Sequence, residues 1–273
     1  MPSAVFNVIM QCVRLWALTV FLVTAIHLLP LSALARGPVS LGLLPKVLIT
    51  AFEPFAGRSI NLSSEVAAHI PTALAGKVEV SVCILPVVYD EAAREAQRCI
   101  RAFTQTRGKP DLVISLGEGG GCRIRLETLA RNLDHTPSLA DNAGEVRADH
   151  PILAGAPDSL KIPYPALALY CEAHRDFPNR VRASNDAGAF VCNNTAFHLS
   201  RDLPRMNIPY GFIHVPSSAD GCYAADANPQ ANAVIIAQMI DQTISRALQG
   251  PTQEIPVTTK CERDFQRDLG LSF

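Results

Sequence analysis

The segment Asp111-Leu-Val-Ile-Ser-Leu-Gly-Glu-Gly-Gly-Gly121 decides how this chain is read. Its first half is apolar at nearly every position, which suits a strand covered on both faces rather than one with a wet side. Its second half is a glycine run, the punctuation of a strand that stops in a loop. Two further segments repeat the first half: Lys46-Val-Leu-Ile-Thr-Ala-Phe52, and Tyr210-Gly-Phe-Ile-His-Val215, which Pro216 stops. Between them the pattern predicts strands at 78–85, 126–133 and 181–184. Helices are predicted at 61–70, 90–103, 165–174 and 192–203, the first with polar cap residues around Asn61. Asn228-Pro229 opens a last, long helix, with Ala231, Val234, Ile235 and Ile240 near one side, and Gly250-Pro251 ends it. Strands that alternate with helices and are themselves apolar throughout predict an α/β fold with a mostly parallel open sheet, covered on both faces.

Composition agrees. Of 273 residues, 48% are hydrophobic and 18% charged, and the formal net charge is −1. Such a chain is not disordered, and near-neutrality provides no electrostatic reason to expect nucleic acid or an acidic membrane surface as partner. The first residues read differently from the rest. Arg14 precedes an uncharged run, 15–35, in which Pro30 breaks the apolar stretch and Ala33-Leu34-Ala35 forms a small-x-small pattern before Arg36. That order of charge, apolar stretch and cleavage pattern predicts a secretory signal peptide. A retained membrane anchor is the alternative, opposed by Pro30, Ser32 and Ala33 in its last turns. The expected organisation is a cleaved signal peptide at 1–35, one α/β domain at 36–250 and a C-terminal tail at 251–273. The protein is then exported, to the periplasm or beyond, with no membrane attachment after cleavage.

Eight cysteines accompany this leader. Cys12 leaves with it, so an odd set remains: Cys83, Cys99, Cys122, Cys171, Cys192, Cys222 and Cys261. In an oxidising compartment an odd set points to one thiol kept free.

Ligands of open α/β sheets sit beyond the carboxyl ends of strands. Four segments stand there: 52–57, 117–127, 188–193 and 214–217. Phosphate-loop, serine-hydrolase and zinc motifs are absent, and the glycine run has Cys122 where a dinucleotide fingerprint needs its last glycine. Cys192 opens a predicted helix, where first-turn N–H groups favour a thiolate and suit an oxyanion. A buried structural cysteine is the plainer reading of that residue. His214, at a strand end before Pro216, is placed to act as a general base, and Glu127 to orient an imidazole. His198 is a rival base but lies six residues into the Cys192 helix, pointing away.

Longer segments make the pattern recognisable. Leu48-Ile-Thr-Ala-Phe-Glu-Pro-Phe-Ala-Gly57 with Asn61, Ser184-Asn-Asp-Ala-Gly-Ala-Phe-Val-Cys-Asn193, and Gly211-Phe-Ile-His-Val-Pro216 resemble three segments of the pyroglutamyl peptidase I family. Glu127, with 130–134 and 141–144, is similar to a fourth. The resemblance implies a single-domain three-layer α/β/α sandwich without metal or organic cofactor. It also implies a Cys192 nucleophile, a His214 base and a Glu127 orienting acid. The implied reaction is hydrolysis of the amide after an N-terminal pyroglutamyl residue through a thioester acyl-enzyme, with pyroglutamylated peptides or proteins as substrates. Phe52, Phe55, Phe190 and Val191 match positions that sandwich the lactam ring, and Asn61 and Glu118 complete the expected substrate-binding set.

The chain departs from the family pattern at several places. Glu118 stands where Gln is usual, Cys122 replaces a common Arg, Thr128 a basic residue and Pro137 an Arg. Ala51 and Ala56 stand for glycines. These changes predict a site poorer in positive charge. They motivate an alternative, a non-catalytic relative that binds blocked N-terminal peptides or envelope partners. The oligomeric state is left open, a homo-oligomer included. The six cysteines besides Cys192 can form three disulfides; Cys122 and Cys222 both follow strand ends beside the proposed site and are expected to pair.

Overall fold

A computed structural model describes residues 44–217, 219–222, 224–249 and 259–271; the predicted leader, and Gly250-Pro251, lie outside them. The strands are β1 (Lys46–Phe52), β2 (Glu79–Leu85), β3 (Leu112–Glu118), β4 (Ile124–Glu127), β5 (Leu129–Arg131), β6 (Ser159–Lys161), β7 (Val181–Ser184) and β8 (Tyr210–Val215). The helices are α1 (Leu62–Ala73), α2 (Glu91–Arg107), α3 (Ala166–Asp176), α4 (Val191–Asp202), α5 (Pro229–Gln249) and α6 (Thr259–Asp268).

Six strands form one sheet in the order β2-β1-β3-β8-β4-β7. All neighbours run parallel except β4 and β8. The mostly parallel sheet with helices on both sides is thus present. Period-two alternation sorts β1: Val47, Ile49 and Ala51 face a core shared with α1, α3, α5 and α6, while Leu48 and Phe52 face a second core shared with α2 and α4. Asn61 and Asn228 cap their helices as read from sequence, accepting from Ser63 N at 3.0 Å and Ala231 N at 2.8 Å.

Two expectations need correction. The strand predicted at 126–133 breaks at Thr128, whose N–H donates to Ser184 O at 2.7 Å. The following β5 leaves the main sheet and pairs with β6. An apolar pattern cannot distinguish one strand from two that join different sheets. The segment 251–273, expected only as a tail, contains α6. Its Phe265 is buried edge-on against Tyr170 at 5.3 Å, and Asp268 Oδ2 accepts from Ala183 N at 3.1 Å. One apolar anchor per three turns is too weak a signal against a polar background.

Three disulfides join Cys83–Cys99, Cys171–Cys261 and Cys122–Cys222. Cys192 is the free cysteine among the described residues. The first disulfide ties β2 to α2 and the second holds α6 to α3. The third, the pair expected from sequence, joins the loop after β3 to the loop after β8. Closing loops of 90 and 100 residues removes much more denatured-state freedom than closing one of 16.

Candidate active site

The antiparallel β4 builds the centre of the site. In register, His214 stands between Gly117 on β3 and Arg125 on β4, and Glu127 lies opposite Phe212. Because β4 runs against β8, its C-terminal residue lies below the sheet edge, and Glu127 is 0% exposed. The carboxylate thus approaches His214 from beneath: Glu127 Oε1 lies 2.8 Å from His214 Nδ1. A carboxylate is an acceptor, so Nδ1 carries the proton and Nε2 is left with its lone pair.

Cys192 comes from the opposite layer. A Cβ on Gly117 would stand 2.9 Å from the Cys192 Sγ and 3.0 Å from His214 Nε2, so thiol and imidazole are neighbours across this residue. Only glycine leaves room there. Gly119 is constrained likewise: its Cβ would fall 2.8 Å from His214 Cγ and against the Arg125 guanidinium.

The start of α4 is anchored by two asparagines. Asn193 donates to Arg131 O at 2.8 Å and Leu133 O at 2.9 Å, and accepts from Arg131 N at 2.8 Å. Asn194 Nδ2 donates to Asp134 and Asp90, each at 3.0 Å. The 130–134 stretch is therefore scaffolding that fixes where Cys192 stands. The 141–144 stretch does the same for the far wall. Asp141 accepts from the N–H groups of Tyr89, Ala143 and Glu145, and Asn142 Nδ2 donates to Glu53 Oε1 and Pro54 O. No side chain caps α4 at Phe190, which leaves its first-turn N–H groups for another acceptor.

These elements enclose a cavity of about 500 Å³ lined by every residue of the expected site except Glu127, which supports His214 from behind. Phe55 and Phe190 stand 5.9 Å apart, and Tyr89 backs Phe190 edge-on at 5.5 Å. Phe52 and Val191 are buried at the base. Asn61 borders the cavity, but its side chain serves the α1 cap and donates to Glu53 O at 2.9 Å. Glu118 also borders it. Its oxygens receive Arg58 Nη1 at 2.5 Å, Leu62 N at 2.6 Å and Ser217 Oγ at 3.0 Å. Arg58 in turn lies 4.6 Å over the Phe55 ring. His198 is absent from the cavity and sits 3.6 Å from Asp90. Pro137 is exposed and does not line the cavity.

The expected poverty of positive charge is corrected by Arg125 and Arg58, neither of which the sequence reading singled out. Arg125 was findable: two residues before Glu127 on a strand, it must share that residue's face. Arg125 Nε donates to Glu127 Oε1 at 3.1 Å. Burial pushes the Cys192 thiol up to about 12; Arg125 opposes this, while Glu127 and Glu118 add to it. The helix start does not by itself make a resting thiolate here.

Residues 45–249 match the family model described as pyroglutamyl peptidase. The pyrrolidone-carboxylate peptidase of Erwinia tasmaniensis is 37% identical over 172 residues, spanning 63% of this chain and 78% of that protein. The solved pyrrolidone carboxyl peptidase from Thermococcus litoralis aligns with a TM-score of 0.67 at 26% identity, over 78% of this chain and all of that one. Pyroglutamyl peptidase I from Bacillus amyloliquefaciens aligns at 0.64 and 25% identity, over 74% and 98%.

Proposed function

This chain belongs to the pyroglutamyl peptidase family of cysteine-type peptidases, and from that premise we propose that it removes N-terminal pyroglutamyl residues through a thioester on Cys192. The observation that carries the reading is the alignment of Glu127, His214 and Cys192 at the head of one apolar cavity.

His214 Nε2 takes the proton of the Cys192 thiol as the sulfur bonds to the pyroglutamyl carbonyl carbon. Because burial raises the thiol to about 12, the base has to act during attack rather than before it. The carbonyl oxygen gains the electron pair and accepts from first-turn N–H groups of α4. Collapse expels the amine of the following residue, which takes the proton back from His214, and leaves the thioester. Water then adds with His214 again as base, releasing pyroglutamate and the thiol. Glu127 holds the Nδ1–H tautomer and stabilises the imidazolium in both halves.

Phe55 and Phe190 suit a flat, uncharged lactam. A free N-terminal ammonium has to shed its water there without an unpaired anion to meet it, since Glu118 is already held by Arg58 and Asp186 by Arg131, and this disfavours unblocked peptides. The reading also places the enzyme outside the cytosol, supported by the predicted 1–35 leader and the three disulfides.

The test is release of chromophore from a pyroglutamyl amide by the chain lacking its leader, beside Cys192→Ala. Turnover is expected to fall to background in the variant, and mass spectrometry to find the acyl group on Cys192. Absence of Cys192-dependent release under both reducing and non-reducing conditions overturns the reading.

A further inference from the structure

We infer that Arg125 is a positioning residue of this reaction: from its place beside His214 it keeps Glu127 aimed at the imidazole and clamps the glycine loop over the ring. The inference rests on the roles proposed above for Cys192, His214 and Glu127.

Arg125 and His214 are direct partners in the antiparallel β4–β8 register, which puts their side chains on one face within reach of each other. The guanidinium is then spent in two directions. Its Nε donates to Glu127 Oε1, the same oxygen that faces His214 Nδ1. Its Nη1 donates to the carbonyl of Gly120 in the loop that follows β3. Gly119 of that loop lies against the imidazole ring, where even a Cβ would collide. One side chain therefore links the acid beneath the ring to the loop above it.

Charge balance makes the link more than packing. Glu127 is fully buried, and its Oε2 has no hydrogen-bond partner among the described residues. A buried carboxylate without compensation is costly and tends to take up a proton. Arg125, with its side chain 21% exposed, is the cation paired with it. Arg125 thus supplies the countercharge to the carboxylate that backs His214.

The ionisable groups facing the Cys192 thiol are Arg125 and Glu127 from β4, Glu118 from β3, His214 and Tyr210 from β8, and Asp186 from the loop entering α4. Arg125 is the cation that favours its thiolate, against burial and two carboxylates. Removal of Arg125 is therefore expected to move the thiol upward.

The experiment measures the rate at which iodoacetamide alkylates Cys192 in the native, disulfide-bonded chain from about pH 7 to pH 9, where that rate follows the small thiolate fraction, with adducts assigned by mass spectrometry. Wild type, Arg125→Met and Arg125→Lys are compared, and the same proteins are assayed on the pyroglutamyl amide. Arg125→Met is expected to lower that rate about tenfold at each pH and to lower kcat by roughly 10²-fold, with KM changed far less. Arg125→Lys is expected to fall between, because it restores the charge without the two-way fork. An unchanged alkylation rate in a folded variant overturns the inference, whether or not kcat falls. If Arg125→Met does not melt cooperatively, the Lys variant decides by the same criterion, an alkylation rate below that of wild type. Alkylation needs no substrate, so a wild-type chain inert toward pyroglutamyl amides defeats the functional reading without deciding this one.

Discussion

Glu118 and Glu127 end strands β3 and β4, flank His214 through its two neighbouring strands, and are both buried beside an arginine. Their surroundings differ in what is left unspent. Glu118 receives a guanidinium, a helix N–H and a hydroxyl, so both oxygens are saturated and the residue binds β3 to the start of α1 and to the loop after β8. Glu127 concentrates its contacts on Oε1 and leaves Oε2 without a partner. A saturated carboxylate is a structural joint. An undersatisfied one facing a titratable ring has something to do when the ring's charge changes. The arginines follow suit: Arg58 extends outward over Phe55 and shapes the cavity wall, whereas Arg125 points in toward the reacting groups.

That contrast is open to breakage, most forcefully at Glu127. Glu127→Gln removes the charge and offers His214 Nδ1 either face of an amide. We expect kcat on a pyroglutamyl amide to fall by about 10⁴-fold, with a thermal midpoint close to wild type; a loss under tenfold would place Glu127 with the joints. Glu118→Ala is expected to do the reverse. It strands Arg58 and unsatisfies the Leu62 N–H, costing about 2 kcal/mol of stability in denaturant titration, the partial exposure of Arg58 holding the figure below that of a sealed pair. Glu118→Gln, which keeps an acceptor for Leu62, should recover most of that loss and leave kcat within about threefold. A catalytic defect in Glu118→Gln as large as that of Glu127→Gln would erase the distinction.

At neutral pH the smallest effect concerns the thiol between them. Burial raises Cys192 from an ordinary value near 9.0 to about 12, so between those limits the folded state holds a proton that the unfolded state has released. Stability is therefore intact below about pH 9 and declines as pH rises toward 12. Cys192→Ser should flatten that alkaline decline, measured as the thermal midpoint against pH. A decline of equal slope in both proteins would show that the thiol is less enclosed than the cavity geometry implies.

Much of this arrangement was readable along the chain. The buried strands, the helix opened near Cys192, the caps at Asn61 and Asn228 and the pairing of Cys122 with Cys222 rest on local pattern, or on residues a few positions from a strand end. Three things escaped that reading, and each depends on a partner far away in sequence. Glu118 reads as a substrate contact, and nothing along the chain shows that Arg58 and Ser217 engage its carboxylate. Arg125 reads as an ordinary strand charge until β4 is known to pair with β8 in the reverse sense. The helix α6 reads as tail until Cys171 and Tyr170 are found beneath it.

The sequence by itself determined which residue types are available and on which elements: apolar runs that must be buried, a cysteine at a helix start, a histidine at a strand end, and two phenylalanines in turns. It did so because hydrophobic periodicity and capping are properties of neighbours in the chain. Only the tertiary structure decided which carboxylate has its oxygens engaged and which faces the imidazole with one to spare, and where positive charge reaches the thiol. A charged side chain takes its role from the partners and solvent exclusion around it, and strand order and direction set those.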